Sequence, residues 1–144
     1  MPLWKIYHPE DAFTAEQKRA LSQTITELYA PRLPRFYVGV VFQAVPADDF
    51  YLGGEPATNF VRIWVDHIAR TLPNAEARTR WMNHVIAALT PHIGDRGFDW
   101  EFHIDETSFE LWSINGMRPP APDTEDEKRW KAENRPSPLT ATVA

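Results

Sequence analysis

Cysteine is absent from all 144 residues, which excludes disulfides, thiolate nucleophiles and cysteine-ligated zinc. No apolar run approaches the roughly 20 residues a helix needs to cross a bilayer. The amino terminus has neither the basic patch nor the apolar core of a secretory signal, so a cytoplasmic location is expected. Lys and Arg form no cluster and the net charge is −5. That balance argues against nucleic acid and anionic membrane as partners. A small anionic ligand would therefore need a local arginine pocket. Gly53-Gly54 is not followed by the Lys-Ser/Thr of a phosphate cradle, and no cofactor is expected. What remains is an ordinary globular composition, 43% hydrophobic and 24% charged, on a length that suits one domain with a real core.

The hydrophobic pattern reads strand, helix, strand, and then the same again. Residues 3–8 form a first strand. Thr14 with Gln17 is a capping box. Behind it Leu21, Ile25, Leu28 and Tyr29 recur at helical spacing until Pro31. Phe36 to Phe42 is a nearly continuous apolar strand, the pattern of one buried on both faces. A polar loop follows from Pro46 to about Asn59. Val61, Ile63 and Val65 then alternate with Arg62, Trp64 and Asp66. Asn74 caps a second helix carrying Trp81, Val85 and Leu89, which Pro91 and Gly94 end. Phe98, Trp100, Phe102 and Ile104 alternate with Asp99, Glu101, His103 and Asp105, a period-2 strand with one wet face.

The expected fold is α+β: tandem β-α-β units, about residues 2–45 and 60–105, forming a four-stranded mixed sheet with two helices on one face. The domain spans residues 1–120. The other face keeps apolar side chains from the second strand and nothing in the chain is long enough to cover it, so a homo-oligomer is expected. Residues 121–144 are a tail after the stiff segment Arg118-Pro119-Pro120-Ala121-Pro122. A short polar helix from Glu125 to about Asn134 and disorder over 135–144 are expected there, with the tail packing over a neighbouring subunit or fraying.

Pro2 is the most informative single residue. With Met1 attached its nitrogen is a tertiary amide. With Met1 removed it is a secondary amine with a lone pair, at the head of a strand. An ordinary α-amino group titrates at about 7.7–8.0. Burial and a nearby Arg⁺ both disfavour the charged amine, so a pocket with both would make it a base at neutral pH. Trp4, Phe36, Val38, Phe102 and Trp112 are candidates for the apolar wall.

Pro2, the loop Phe50-Tyr51-Leu52-Gly53-Gly54, the run Ile63-Trp64-Val65 leading to Arg70, the strand around Trp100, and Asn115-Gly116 ahead of Pro119-Pro120 occur in an order that resembles the tautomerase superfamily. The chain looks most like its cis-3-chloroacrylic acid dehalogenase group, over roughly residues 2–120. The resemblance implies a homotrimer, a catalytic amino-terminal proline, and an arginine after the third strand that grips substrate carboxylate, here Arg70. It also shows departures. Tyr29 stands where that group has a histidine, Pro73 where it has a second arginine, Ile114 near its water-activating glutamate, and Phe102 at its fourth-strand tyrosine.

The catalytic candidates are thus Pro2, Arg70 and Tyr29, with Asn115, Trp112, Phe102 and Arg118 as substrate contacts. The expected activity is tautomerase-type chemistry on a small 2-oxo or unsaturated carboxylic acid. Two other readings stand beside it. One is a non-catalytic oligomeric binding protein of the same fold. The other is a haloacrylate dehalogenase in which Glu101, Glu106 or Glu110 activates water. Asp66-His67 with His103 and Asp105 lacks a recognised ligand spacing and reads as ordinary strand-end polarity rather than a metal site. Ser108 and Ser113 lack a nucleophile elbow.

Overall fold

The computed structural model describes residues 1–140. Alternation builds the first strand, β1 (Leu3–Pro9), whose Trp4, Ile6 and His8 are buried and whose intervening residues are half-buried. Helix α1 (Ala15–Tyr29) starts where the capping box places it. The Thr14 side chain accepts from the Gln17 amide, and Gln17 accepts in return from the Thr14 amide. Leu21, Ile25 and Tyr29, spaced by four, are its buried stripe.

Strand β2 (Gly39–Val45) begins later than the apolar run suggested. Arg35–Tyr37 form a single 3₁₀ turn instead, with Pro34 ahead of it. The Phe36 and Tyr37 rings pack edge-on to each other and onto Trp130, and the Gly39 amide then donates to the Pro2 carbonyl to open the ladder. The apolar residues at the head of the run serve packing outside the sheet, which periodicity alone does not distinguish from strand.

A two-residue hairpin, β3 (Tyr51–Leu52) and β4 (Glu55–Pro56), turns at Gly53-Gly54, both at positive φ. Strand β5 (Phe60–His67) alternates with Val61, Ile63, Val65 and His67 buried. Helix α2 (Ala75–Leu89) is capped by Asn74, whose side chain accepts from the Ala77 amide, and buries Val85 and Leu89. Asn74→Ala should cost about 1 kcal/mol in urea unfolding by leaving that amide without its partner. Strand β6 (Asp99–Glu106) and helix α3 (Glu125–Glu133) follow.

The four long strands lie in the order β2-β1-β5-β6. Each β-α-β unit gives a parallel pair, β1 with β2 and β5 with β6, and the units meet antiparallel along β1 and β5. The expected α+β architecture, a mixed four-stranded sheet with the crossover helices on one face, is the observed one. Trp4, Ile6, Val61, Ile63 and Val65 meet Leu21, Ile25, Val85 and Leu89 beneath the helices, all with no exposure. Each such aliphatic side chain stabilises by about 1.5–3 kcal/mol relative to leaving it in water.

The opposite face is mixed. Val41 is 49% exposed and Trp64 38%. Beside them Trp64 Nε1 donates to Asp105, Arg62 meets His103 at 2.6 Å, and Lys5 sits over the Trp64 ring.

Helix α3 packs on its own chain. Trp130 has no exposure and Glu127 only 5%. Lys131 donates to the Pro31 carbonyl and Asn134 accepts from the Phe36 amide. The short polar helix is as composition suggested, but its one aromatic side chain, Trp130, docks intramolecularly. In the stretch 135–144 expected to be disordered, Ser137 accepts from Arg129 and Trp130, and Thr140 bonds to Asp126. Residues 141–144 lie outside the described residues.

Candidate active site

The antiparallel register sets Leu3 opposite Asp66. Extended by one residue, it sets Pro2 opposite His67, at the end of the sheet where α1 finishes and α2 begins. A cavity of about 650 Å³ opens there. Pro2 forms part of its wall, with Tyr29 from the last turn of α1, His67 and Arg70 from the end of β5 and the segment beyond it, and Trp81 from α2. Arg32 and Arg80 also line it, Arg80 paired with Glu76.

Pro2 is buried. Burial also drives the amino group of Met1, one residue away, from 8.0 down to about 4. The environment of this chain terminus therefore strongly disfavours a positive charge.

Tyr29 and His67 form a buried polar pair, with the phenol oxygen 2.7 Å from His67 Nε2. That oxygen also accepts from Trp4 Nε1 at 3.1 Å. Burial pushes the Tyr29 hydroxyl well above its usual range, against a smaller opposing effect from the Trp4 bond. Burial also lowers His67 to about 4; Glu106 and Asp66 oppose the shift, and the charge of the amino terminus assists it. The imidazole is neutral at physiological pH. The Trp81 ring packs on both side chains, at 5.1 and 5.7 Å.

Arg70 faces the cavity but is not a free cation. Nη2 donates to Glu127 Oε1 at 2.7 Å and Nη1 to Oε2 at 3.3 Å, while Nη1 also donates to the Ala69 carbonyl. Asp123 lies 3.8 Å away. These bonds use both hydrogens of Nη1 and one of Nη2. The Nε hydrogen and the second Nη2 hydrogen remain, and together they form the side-on fork of the guanidinium.

Of the residues singled out from sequence, the structure thus brings together Pro2, Tyr29 and Arg70. Phe102, Trp112, Asn115 and Arg118 do not line this cavity. Phe102 stacks on Trp100. Trp112 is buried edge-on against Tyr37 and Phe109. Asn115 and Gly116 take φ of 51° and 76° in a turn that Ile114 and Met117 close with reciprocal backbone bonds; its turn-forming side chain is what that conformation favours. Arg118 is exposed. Glu101, Glu106 and Glu110 do not line the cavity either. Glu101 lies beside Arg62, and Glu106 accepts from the Leu72 amide. His67 and His103 occupy opposite faces of the sheet, since His67 shares the buried parity of Val65 while His103 pairs with outward Trp64.

Sequence reasoning missed His67 as a cavity residue, although the signal was present: the alternation Val61, Ile63, Val65 carried one step further points it inward. Glu127 was missed because nothing local marks an acidic residue on a polar helix as buried.

Comparison with known proteins bears on the same region. No functionally curated protein matches the chain. Native RhCC from Rhodococcus jostii RHA1 is 47% identical with a TM-score of 0.92, over 95% of this chain and 99% of that one. A probable enzyme from the thermophilic fungus Aspergillus fumigatus is 42% identical, TM-score 0.91, over 96% and 98%. A member of the cis-3-chloroacrylic acid dehalogenase family shares the fold at 19% identity, TM-score 0.69, over 92% and 97%. The family described as putative oxalocrotonate tautomerase enzyme matches residues 1–135, which include every residue of the cavity described above, and this chain therefore belongs to that family of the tautomerase superfamily.

Proposed function

We propose that this chain is a tautomerase-type enzyme in which Pro2, freed by removal of Met1, is the general base and acid acting on a small 2-oxo or unsaturated carboxylic acid. The observation that carries this reading is the buried position of Pro2 on a cavity wall, next to the Met1 amine that burial lowers from 8.0 to about 4. A secondary amine in the same surroundings stays neutral at pH 7 and keeps its lone pair. It removes a proton from the carbon next to the substrate carbonyl and returns it one vinylogous position away. The side-on fork of Arg70 holds the substrate carboxylate while Glu127 fixes the other edge of the guanidinium. Tyr29 donates to the carbonyl oxygen. A homotrimer covers the open sheet face around Val41 and Trp64; sedimentation of a stable monomer would contradict that assembly.

The test begins with the intact mass, which should show Met1 absent. Titration of the ¹⁵N-labelled Pro2 nitrogen should then give a pKa below the range of about 7.7–8.0 typical of a free amino terminus. Conversion of phenylpyruvate enol should be much slower with Pro2→Ala; equal rates would exclude the proline base. Retained Met1 together with tight carboxylate binding and no turnover would support the non-catalytic binding protein instead.

A further inference from the structure

Pro2 shares its cavity with an imidazole whose two nitrogens differ in their surroundings. His67 Nε2 is committed to the Tyr29 oxygen. Nδ1 has no hydrogen-bond partner among the described residues. Nor is it sealed away, since the buried unpartnered side-chain atoms among the described residues are His8 Nε2, the Tyr37 hydroxyl and Trp81 Nε1. Because His67 lines the cavity, Nδ1 is its open edge.

The phenol is equally constrained. Indole Nε1–H is only a donor, so Trp4 always fills one lone pair of the Tyr29 oxygen. When His67 carries its proton on Nε2, that proton fills the other. The Tyr29 hydrogen then has neither neighbour to bond and turns to the cavity. Trp4 has no exposure, so this geometry is set before any ligand arrives.

We infer that His67 and Tyr29 form a two-ended proton shuttle, in which Nδ1 takes a proton from substrate carbon as the Tyr29 hydroxyl delivers one to substrate oxygen. The inference rests on the tautomerase reading and adds a second acid–base unit to it. In the keto-to-enol direction the C–H bond breaks and an Nδ1–H bond forms. The Nε2–H bond breaks and a new O–H bond forms on Tyr29. The original Tyr29 O–H bond breaks and the substrate gains an O–H. The C–H electron pair becomes the C=C bond and the C=O π pair takes the delivered proton. No net charge develops on the protein, and the ring ends as the Nδ1–H tautomer. A water in the emptied cavity resets it by accepting the Nδ1 proton and giving one to Tyr29, whose own proton passes to Nε2. The enol-to-keto direction runs the same steps in reverse. A neutral imidazole is required throughout, and burial supplies it.

The shuttle uses no atom of Pro2 as a base. It therefore operates whether or not Met1 is removed, which separates it from the proline mechanism. The experiment compares phenylpyruvate enol conversion by the processed protein, a Met1-retaining form, Pro2→Ala, His67→Asn and Tyr29→Phe. In the Met1-retaining form, where the proline nitrogen is an amide, His67→Asn and Tyr29→Phe should each lower the remaining kcat about 100-fold or more with little change in KM, the scale of a lost acid–base group. The Met1-retaining form itself should be slower than the processed protein but keep measurable turnover. A proton inventory on the Met1-retaining form should be curved, as expected when more than one proton is in flight, and needs no substitution. No turnover in a folded Met1-retaining form, unchanged kcat on adding His67→Asn to that form, or a linear inventory would overturn the shuttle. If Pro2→Ala is inactive at the same time, the proline reading survives. Absence of turnover in every form would overturn both.

Discussion

Arg70→Ala is expected to destabilise the protein by about 3 kcal/mol, and Glu127→Gln in the same chain to restore most of that loss. Glu127 is 5% exposed and holds the Arg70 guanidinium through both carboxylate oxygens. Removing the arginine leaves a buried carboxylate without its cation, on the same helix as the fully buried Trp130. Most of the cost comes from that stranded charge, not from the value of the pair itself, because the desolvation of both ions offsets much of their attraction. Neutralising the survivor removes the penalty. Arg70 keeps 31% side-chain exposure, so water softens the effect below the upper end of what broken buried pairs show. The measurement is urea unfolding of the two single variants and the double variant. Additive losses would mean that Glu127 and Arg70 do not depend on each other. The same proteins separate two roles for the arginine. If its only task is to anchor α3, the double variant recovers activity together with stability. If its side-on fork holds substrate carboxylate, stability returns and KM stays raised.

That cycle also marks where sequence becomes uninformative. The β-α-β repeats, both helix caps and the inward stripes could be read directly, because periodicity and capping are local properties of the chain. Pro2 was singled out by the chemistry of its own nitrogen, and Arg70 and Tyr29 by the positions the resemblance gave them. The ion pair between Arg70 and Glu127 joins residues far apart in sequence, and the partner sits on a helix whose composition is almost wholly polar. No local pattern encodes which acidic residue of Glu125, Asp126 and Glu127 turns inward; docking of Trp130 three residues later decides it. The start of β2 failed for a related reason. Phe36 and Tyr37 are apolar because α3 covers them, and from sequence that burial looks the same as strand. Asn115 and Trp112 were singled out as substrate contacts by their side-chain chemistry and Phe102 by resemblance. Each sits in a turn or an aromatic contact away from the cavity.

Acid should weaken this fold through His67. The unfolded chain binds a proton at this residue near 6.5, whereas burial lowers the folded value to about 4. Above pH 6.5 neither state is protonated here and the residue adds no pH dependence. As pH falls from 6.5 toward 4 the unfolded state takes up a proton that the folded state refuses, so unfolding becomes progressively favoured. At about 1.4 kcal/mol for each pH step of one, the loss approaches roughly 3 kcal/mol by pH 4. Glu106 and Asp66 moderate it and the amino-terminal charge adds to it. A buried terminal amine contributes a slope of the same sign, beginning nearer pH 8 because its folded value is also lowered. Total acid sensitivity is therefore not diagnostic; the difference between the parent protein and His67→Gln is. Denaturant midpoints measured across this range should diverge, with the parent losing stability more steeply below pH 6.5. Parallel curves would mean that the imidazole accepts a proton without leaving the fold. In that case it would not remain neutral beside Tyr29 in acid, and the bare Nδ1 lone pair that acid–base chemistry requires would be lost near pH 6 rather than persisting well below it.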